Sequence, residues 1–221
     1  VHIDFVSDIA CPWCAVGLHA LERALAELAG EIEPTLAFQP FELNPAMGPE
    51  GADTLAYLGA KYGIGEEQIR RNQAAIRERG AAVGFAFGER ARVWNTFDGH
   101  RLLHWAAVEG APGAPRALKH ALLQAYHGEG RNPSDAAVLL DCARLAGLDM
   151  ARAAQVLQDG AFAQEVRQAE AFWQQAGIQS VPSIVVDRRH LIQGGQPPEV
   201  FVQALRRIAS AGPAGAAAPG P

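Results

Sequence analysis

The sequence predicts an α/β protein in which a large all-helical domain interrupts a smaller α/β unit. Three observations predict it. The chain opens as strand, Cys-x-x-Cys, helix and strand. From about residue 53 to residue 175 only helical periodicity is found. Strand character returns at Ser183–Val186, with a returning strand and a last helix behind it. The implied boundaries are residues 1–48 with 177–210 for the α/β unit, 49–176 for the inserted helical domain and 211–221 for a tail.

Each element has its own signal. His2–Val6 reads as a strand through Ile3, Phe5 and Val6, and Ser7-Asp8 interrupts it. Residues 13–29 carry the apolar stripe Val16, Leu18, Leu21, Leu25 and Leu28, with Gly30 placed to end a helix. Ile32–Phe38 returns to strand, and Pro40, Pro45 and Pro49 punctuate the next segment. Helices are expected at 53–62, 66–83, 98–109, 114–127, 133–146, 150–158 and 162–176, with no convincing strand among them. Asp135, or Asn132 ahead of a proline, would cap the fifth of these. Asp187-Arg188-Arg189 reads as the turn of a hairpin between Ser183–Val186 and His190–Ile192. Pro197-Pro198 opens a final helix at 199–208, with Val200, Phe201, Ala204 and Leu205 on its apolar side. Ala211–Pro221 contains only Ala, Gly and Pro, so it is expected to be disordered.

Composition narrows the function. With 221 residues, 49% hydrophobic and 19% charged, the chain is an ordinary globular protein with room for a core. A net charge of -5, with basic residues no denser than Arg70-Arg71, Arg188-Arg189 and Arg206-Arg207, gives no reason to expect nucleic acid as a partner. No stretch approaches the roughly 18 apolar residues that a membrane helix needs. Val1–Ala10 holds Asp4 and Asp8 and no basic n-region, so it does not read as a secretory leader. There are 3 cysteines, and the odd one, Cys142, suits a reducing compartment. A cytoplasmic location is therefore expected, with a mature exported form as the alternative.

The chemistry is expected at Cys11-Pro12-Trp13-Cys14. Two thiols at this spacing close a disulfide across one helical turn. Cys11 falls at the helix N-terminus, where free N–H groups and the helix dipole favour a thiolate. An exposed Cys11 would attack a substrate disulfide and Cys14 would resolve the mixed disulfide. Pro12 fixes the backbone and removes a donor, and Trp13 reads as a partly exposed platform beside the thiols. Zinc uses the same spacing, but a structural site takes about four Cys and His ligands. Only Cys142 remains, with His2, His19 and His100 able to assist, so no metal is expected. Cys142 sits within a predicted helix and reads as a small apolar core residue.

A wider set of residues carries a resemblance. It comprises Ser7-Asp8-Ile9-Ala10 before the cysteine motif with Gly17 after it, and Pro40-Phe41-Glu42-Leu43-Asn44-Pro45. It continues with Asn95-Thr96, His100-Arg101-Leu102, Val181-Pro182-Ser183 and Leu191-Ile192-Gln193-Gly194-Gly195-Gln196-Pro197-Pro198-Glu199. Together these resemble the DsbA-like thioredoxin family, and within it the FrnE-like branch of dithiol oxidoreductases. The resemblance implies a thioredoxin fold with a large inserted all-helical domain, Cys11 as nucleophile, Cys14 as resolving thiol and Pro182 as a cis proline. It leaves the Val181 backbone free to pair with a substrate chain.

Related kappa-class glutathione transferases and 2-hydroxychromene-2-carboxylate isomerases share this layout but typically carry Ser at the position matching Cys11. Glutathione as a co-substrate is carried over from those relatives, with Asn95, Thr96 and His100 where the helical domain faces the active site. Each has a structural alternative, Asn95 and Thr96 as helix caps and His100 as a core histidine. His104 and Trp105 read as packing residues. Phe38, Phe41, Trp94 and Phe97 read as lining or supporting the cleft between domains, or as plain core.

The function expected is thiol–disulfide exchange with protein or low-molecular-weight thiols. The alternatives are a glutathione-dependent isomerase or transferase, and a binding or chaperone-like protein without turnover. The relatives are compatible with a homodimer.

Overall fold

The computed structural model describes residues 1–210, and the tail expected to be disordered lies outside the described residues. The first strand, β1 (His2–Ser7), leads into α1 (Pro12–Glu27) and β2 (Thr35–Pro40). Near the other end, Ser183–Val186 and His190–Gln193 form the last two strands, and Pro198–Ser210 the last helix.

Between them lie β3 (Ala52–Asp53), α2 (Thr54–Tyr62), α3 (Glu66–Val83), β4 (Arg92–Val93), α4 (Phe97–Glu109) and α5 (Ala114–Leu123). Then come α6 (Ala136–Leu145), α7 (Met150–Asp159) and α8 (Ala163–Gln175). The closing elements are accordingly β5, β6 and α9.

One sheet runs in the order β2-β1-β5-β6, with β1 and β2 parallel and the other pairs antiparallel. Residues 3–7 of β1 are all buried, which explains why that strand reads as a run rather than a clean alternation. Its two faces still separate by the period of 2. Ile3 and Phe5, with Ile184 and Val186 of β5, pack against α1 and α9. Val6 and Val185 point the other way, onto Trp173 of α8 and Ile178 just beyond it.

The structure corrects the sequence reading in four places. The strand expected at 32–38 begins at Thr35 and runs to Pro40. Ile32 instead belongs to the turn that ends α1, where its N–H and that of Glu31 bond to the Leu28 carbonyl at 3.2 and 2.9 Å. No strand was expected in the helical region, yet β3 and β4 pair there. Two residues are too few to show a period, and Arg92 ties the bridge down by donating to the Glu50 carbonyl at 2.7 Å.

The helix expected at 114–127 widens after Leu123 into a π turn at Gln124–Gly128, closed by the Glu129 N–H on the Gln124 carbonyl at 3.0 Å. Finally, α6 starts at Ala136, not at Pro133. Asp135 caps it by accepting the Ala137 N–H at 2.7 Å, while Asn132 holds the preceding turn through Ser134.

Two large cores result, and each draws residues from both parts of the chain. The sheet-side core takes in Val83, Phe85 and Leu123 of the helical region. The helical core takes in Ile9 and Ala10 from the loop after β1. The helix α8 covers the second face of the sheet. No described helix is long and apolar enough to cross a membrane.

Candidate active site

The loop from Asp8 to Ala10 joins β1 to α1, and side chains of the helical region hold all three of its residues. Asp8 is buried; its Oδ1 accepts from Thr96 Oγ1 at 2.7 Å and its Oδ2 accepts the Leu43 N–H at 2.7 Å. His100 Nε2 lies 3.4 Å from the same Oδ1. The Ile9 carbonyl accepts from His127 Nε2 at 2.8 Å, and the Ala10 carbonyl from Arg90 at 3.1 Å. The π turn is what brings His127 to this point, and Arg90 also lies 3.4 Å from His127 Nδ1. Burial pushes His127 well below the ordinary histidine value, and the Arg90 charge adds to this, so its ring is neutral.

Cys11 stands next, at the N-cap of α1 with Pro12 in the first turn and no side-chain cap of its own. Helix N–H groups therefore face its sulfur rather than a capping oxygen. The structure holds Cys11 and Cys14 as free thiols. The neighbouring Cys14 thiol is the main cause that holds Cys11 below the ordinary thiol value; the Cys14 and Trp13 N–H groups help, and burial and the Asp8 charge oppose them. Cys14 goes the other way. Burial pushes it well up, and Cys11 pushes it further. One thiol is thus easy to ionise and its partner is not, as an attacking and a resolving thiol require.

Two expectations for this motif need correction. Cys11 is only 5% exposed, so its thiol is sheltered rather than open. The Val181 carbonyl is not free either: it accepts the Cys11 thiol at 3.6 Å, since a protonated thiol donates to the carbonyl beside it. The Val181–Pro182 bond is cis. Pro182 is fixed on both sides, its carbonyl accepting the Gly194 N–H at 2.8 Å and its ring lying against α1 at Gly17. Trp13 is 36% exposed beside this pair.

Two clefts open beside Pro12, which lines both. One, of about 640 Å³, is lined by Arg70, Arg77, Arg90, Phe87 and His127. The other, of about 560 Å³, is mainly apolar and is lined by Trp13, Tyr57, Tyr62, Ile69 and Ile76. Asn95, Thr96 and His100 line neither. Thr96 and His100 are buried against Asp8, three residues before Cys11. Asn95 accepts the Phe97 N–H at 2.8 Å at the start of α4 and donates to Glu42 at 3.3 Å.

The aromatic residues serve packing. Phe38 meets Phe5 edge-on at 6.2 Å, Phe41 lies under α8, and Trp94 lies against the helical core, where Trp105 is buried. His104 faces the Phe162 ring at 5.4 Å, and Arg167 sits over the Phe97 ring. Cys142 is buried in the helical core, its thiol pushed up to about 11 by burial, which leaves it inert.

Sequence reasoning missed Asp8 as a buried anchor, Arg90, His127 and Lys119. For Lys119 a signal existed. It stands three and four residues before Leu122 and Leu123, on the buried stripe of α5, where a lysine is out of pattern. Asp8, Arg90 and His127 converge only through the fold and carry no spacing signal.

A family model described as a DSBA-like thioredoxin domain matches residues 2–206. The uncharacterized protein YwbO of Bacillus subtilis is 28% identical over 207 residues, covering 93% of this chain and 96% of its own. The crystal structure of a "probable DsbA oxidoreductase" from Streptomyces coelicolor matches with a TM-score of 0.87 at 36% identity over 99% of both chains. The cytosolic disulfide reductase DsbM from Pseudomonas aeruginosa, solved with GSH, matches in fold, with a TM-score of 0.63 at 18% identity over 95% of this chain and 100% of that one.

Proposed function

This chain belongs to the DSBA-like thioredoxin domain family and is a thiol–disulfide oxidoreductase, and from that premise we propose the roles of its residues. Cys11 is the attacking thiol. Its thiolate displaces one sulfur of a substrate disulfide, giving a Cys11–substrate disulfide and a free substrate thiolate. Cys14 then loses its proton and attacks Cys11, which forms the Cys11–Cys14 bond and releases the second substrate thiolate. The reverse sequence oxidises a substrate dithiol. Pro182 and Val181 form the wall against which the substrate sulfur approaches, and Pro12 and Trp13 bind the substrate where they line the clefts beside the thiols.

The observation that carries this reading is the opposite shift of two thiols on one helical turn, Cys11 down and Cys14 up. The first test is the Cys14→Ser variant incubated with a disulfide substrate. A stable mixed disulfide on Cys11, seen by mass spectrometry and absent from Cys11→Ser, is expected. No adduct in either variant overturns the assignment.

Glutathione is the proposed low-molecular-weight co-substrate, since Arg70, Arg77 and Arg90 outnumber Asp53 and Glu89 in the lining of the cleft beside Pro12 and present cations to an anionic thiol. Asn95, Thr96 and His100 act on it indirectly, by holding Asp8 and the segment around Glu42. The domain boundaries at 48, 176 and 210, the FrnE-like branch, a cytoplasmic location and a homodimer are further parts of the proposal. The boundaries rest on the change between strand and helical periodicity along the chain, the branch and the homodimer on the sequence resemblance, and the location on the unpaired Cys142. A second reading, turnover of a small molecule with glutathione, is favoured by the apolar cleft of about 560 Å³. Catalysis retained in Cys14→Ser would select it.

A further inference from the structure

Lys119 is 0% exposed, and its Nζ has no hydrogen-bond partner among the described residues. A lysine amine is seldom buried without a partner, because its charged form loses water and gains nothing in return. It stands on α5, an element of the helical region, whose Leu118 and Leu122 pack with Ile9 and Ala10 just before Cys11 and whose Leu123 packs with Ala15 and Leu18 of α1. Cys14, Asp8 and Cys11 are thereby in electrostatic reach of its amine. His127, neutral, is also in electrostatic reach of the amine, and Arg90 lies 3.4 Å from His127 Nδ1. On the outer side of α5, His120 pairs with Glu22 at 2.8 Å and meets the His19 ring.

Among the described residues, Asp8 is the one carboxylate in electrostatic reach of Lys119, but it is already engaged by Thr96, His100 and the Ala10 and Leu43 N–H groups. Around Nζ, the charges that change during redox chemistry are therefore those of the two sulfurs.

We propose that Lys119 is the buried countercharge of the Cys11–Cys14 pair, a cation lent by the helical region to the reduced, thiolate form. This rests on the dithiol function above. When two substrate thiolates reduce the pair, the Cys11–Cys14 bond breaks and a substrate disulfide forms. Two electrons and two negative charges pass from substrate to protein sulfurs. A proton taken from solvent onto Nζ compensates one of those charges, and it returns to solvent when the disulfide re-forms. Burial pushes the Lys119 amine below its ordinary value, and Cys14, Asp8 and Cys11 pull it back up. Lys119 does not touch the reacting sulfurs; it positions their charge.

The test uses the intact protein. Lys61 and Lys119 are the only lysines, so carbon-13 labelling of lysine gives two side-chain signals, and Lys61→Arg assigns them. Each signal is followed against pH in the disulfide and the dithiol forms. The Lys119 midpoint is expected to lie lower in the disulfide form by about one pH unit or more, as for a unit charge felt at close range. An identical Lys119 midpoint in both forms overturns the proposal and leaves the oxidoreductase reading intact. Failure of glutathione buffers to interconvert the two forms would overturn that reading, and the proposal with it. Lys119→Met adds a second readout. With the countercharge gone, the equilibrium with glutathione should move about tenfold toward the disulfide, and an unmoved equilibrium speaks against the proposal.

Discussion

At the scale of single residues, the two thiols differ because their surroundings do. Cys14 is fully buried while Cys11 has helix N–H groups and the Cys14 thiol to stabilise its charge. The rate of Cys11 alkylation by iodoacetamide should therefore rise through a midpoint below the ordinary thiol value of about 8.5. Since Cys14 is the main cause of the lowering, Cys14→Ala should move that midpoint upward. A midpoint unchanged by the substitution would place the cause in the helix terminus alone. Cys142, held up near 11 by burial, should stay unmodified until the protein unfolds. Of these features, the identity of the reacting thiols was legible in the Cys-x-x-Cys spacing. The sheltering of Cys11 was not, because the group that covers it comes from Val181, 170 residues away.

At the scale of elements, the seating of α1 decides the site. A Cβ at Gly17 would stand 2.9 Å from the Pro182 ring and 3.3 Å from the Gly195 backbone. Gly17→Ala should push α1 away from the Val181–Pro182 turn and cost about 1–3 kcal/mol, read from urea melts. Exchange activity should fall more than stability explains, because the turn faces Cys11. Helix ends far from the site should act on stability alone. Asp149 caps α7 by accepting the Arg152 N–H at 2.6 Å. Asp149→Ala should cost about 1 kcal/mol with activity per folded molecule unchanged. The helices were legible as apolar periodicity and the Asp135 cap as a residue type. The π turn was not, because a single extra residue in a helical turn leaves the apolar stripe readable while it re-aims His127.

At the scale of the whole molecule, the helical region grips the active-site loop through His127, and that grip is sensitive to pH. Folded His127 stays neutral where the unfolded chain takes up a proton. Below an unfolded value near 6.5, stability should therefore fall as pH falls, by up to about 1.4 kcal/mol per unit until the folded group also protonates. Asp8 adds a second loss at lower pH. Its carboxyl is held below the ordinary range by His100, the Leu43 N–H and Thr96, against the opposing effect of burial. The stability it lends is present above about pH 3.9 and is lost as pH falls through its lower folded value. Urea melts at pH 7.5, 6.5 and 5.5 should show the first loss, and His127→Gln should flatten it. An equal slope in the variant would assign the loss to other histidines.

By itself, the sequence determined the order of elements, the α/β frame with its helical interruption and the pair of reacting cysteines. These come from local signals: periodicity, turn residues and spacing along the chain. Tertiary structure decided what surrounds those cysteines. Val181 shelters Cys11, the loop from Asp8 to Ala10 is anchored by Thr96, His100, His127 and Arg90, and the amine of Lys119 is enclosed nearby. Burial and long-range contact set the charge on each of these groups, and neither exists until segments some 80 to 170 residues apart are packed together.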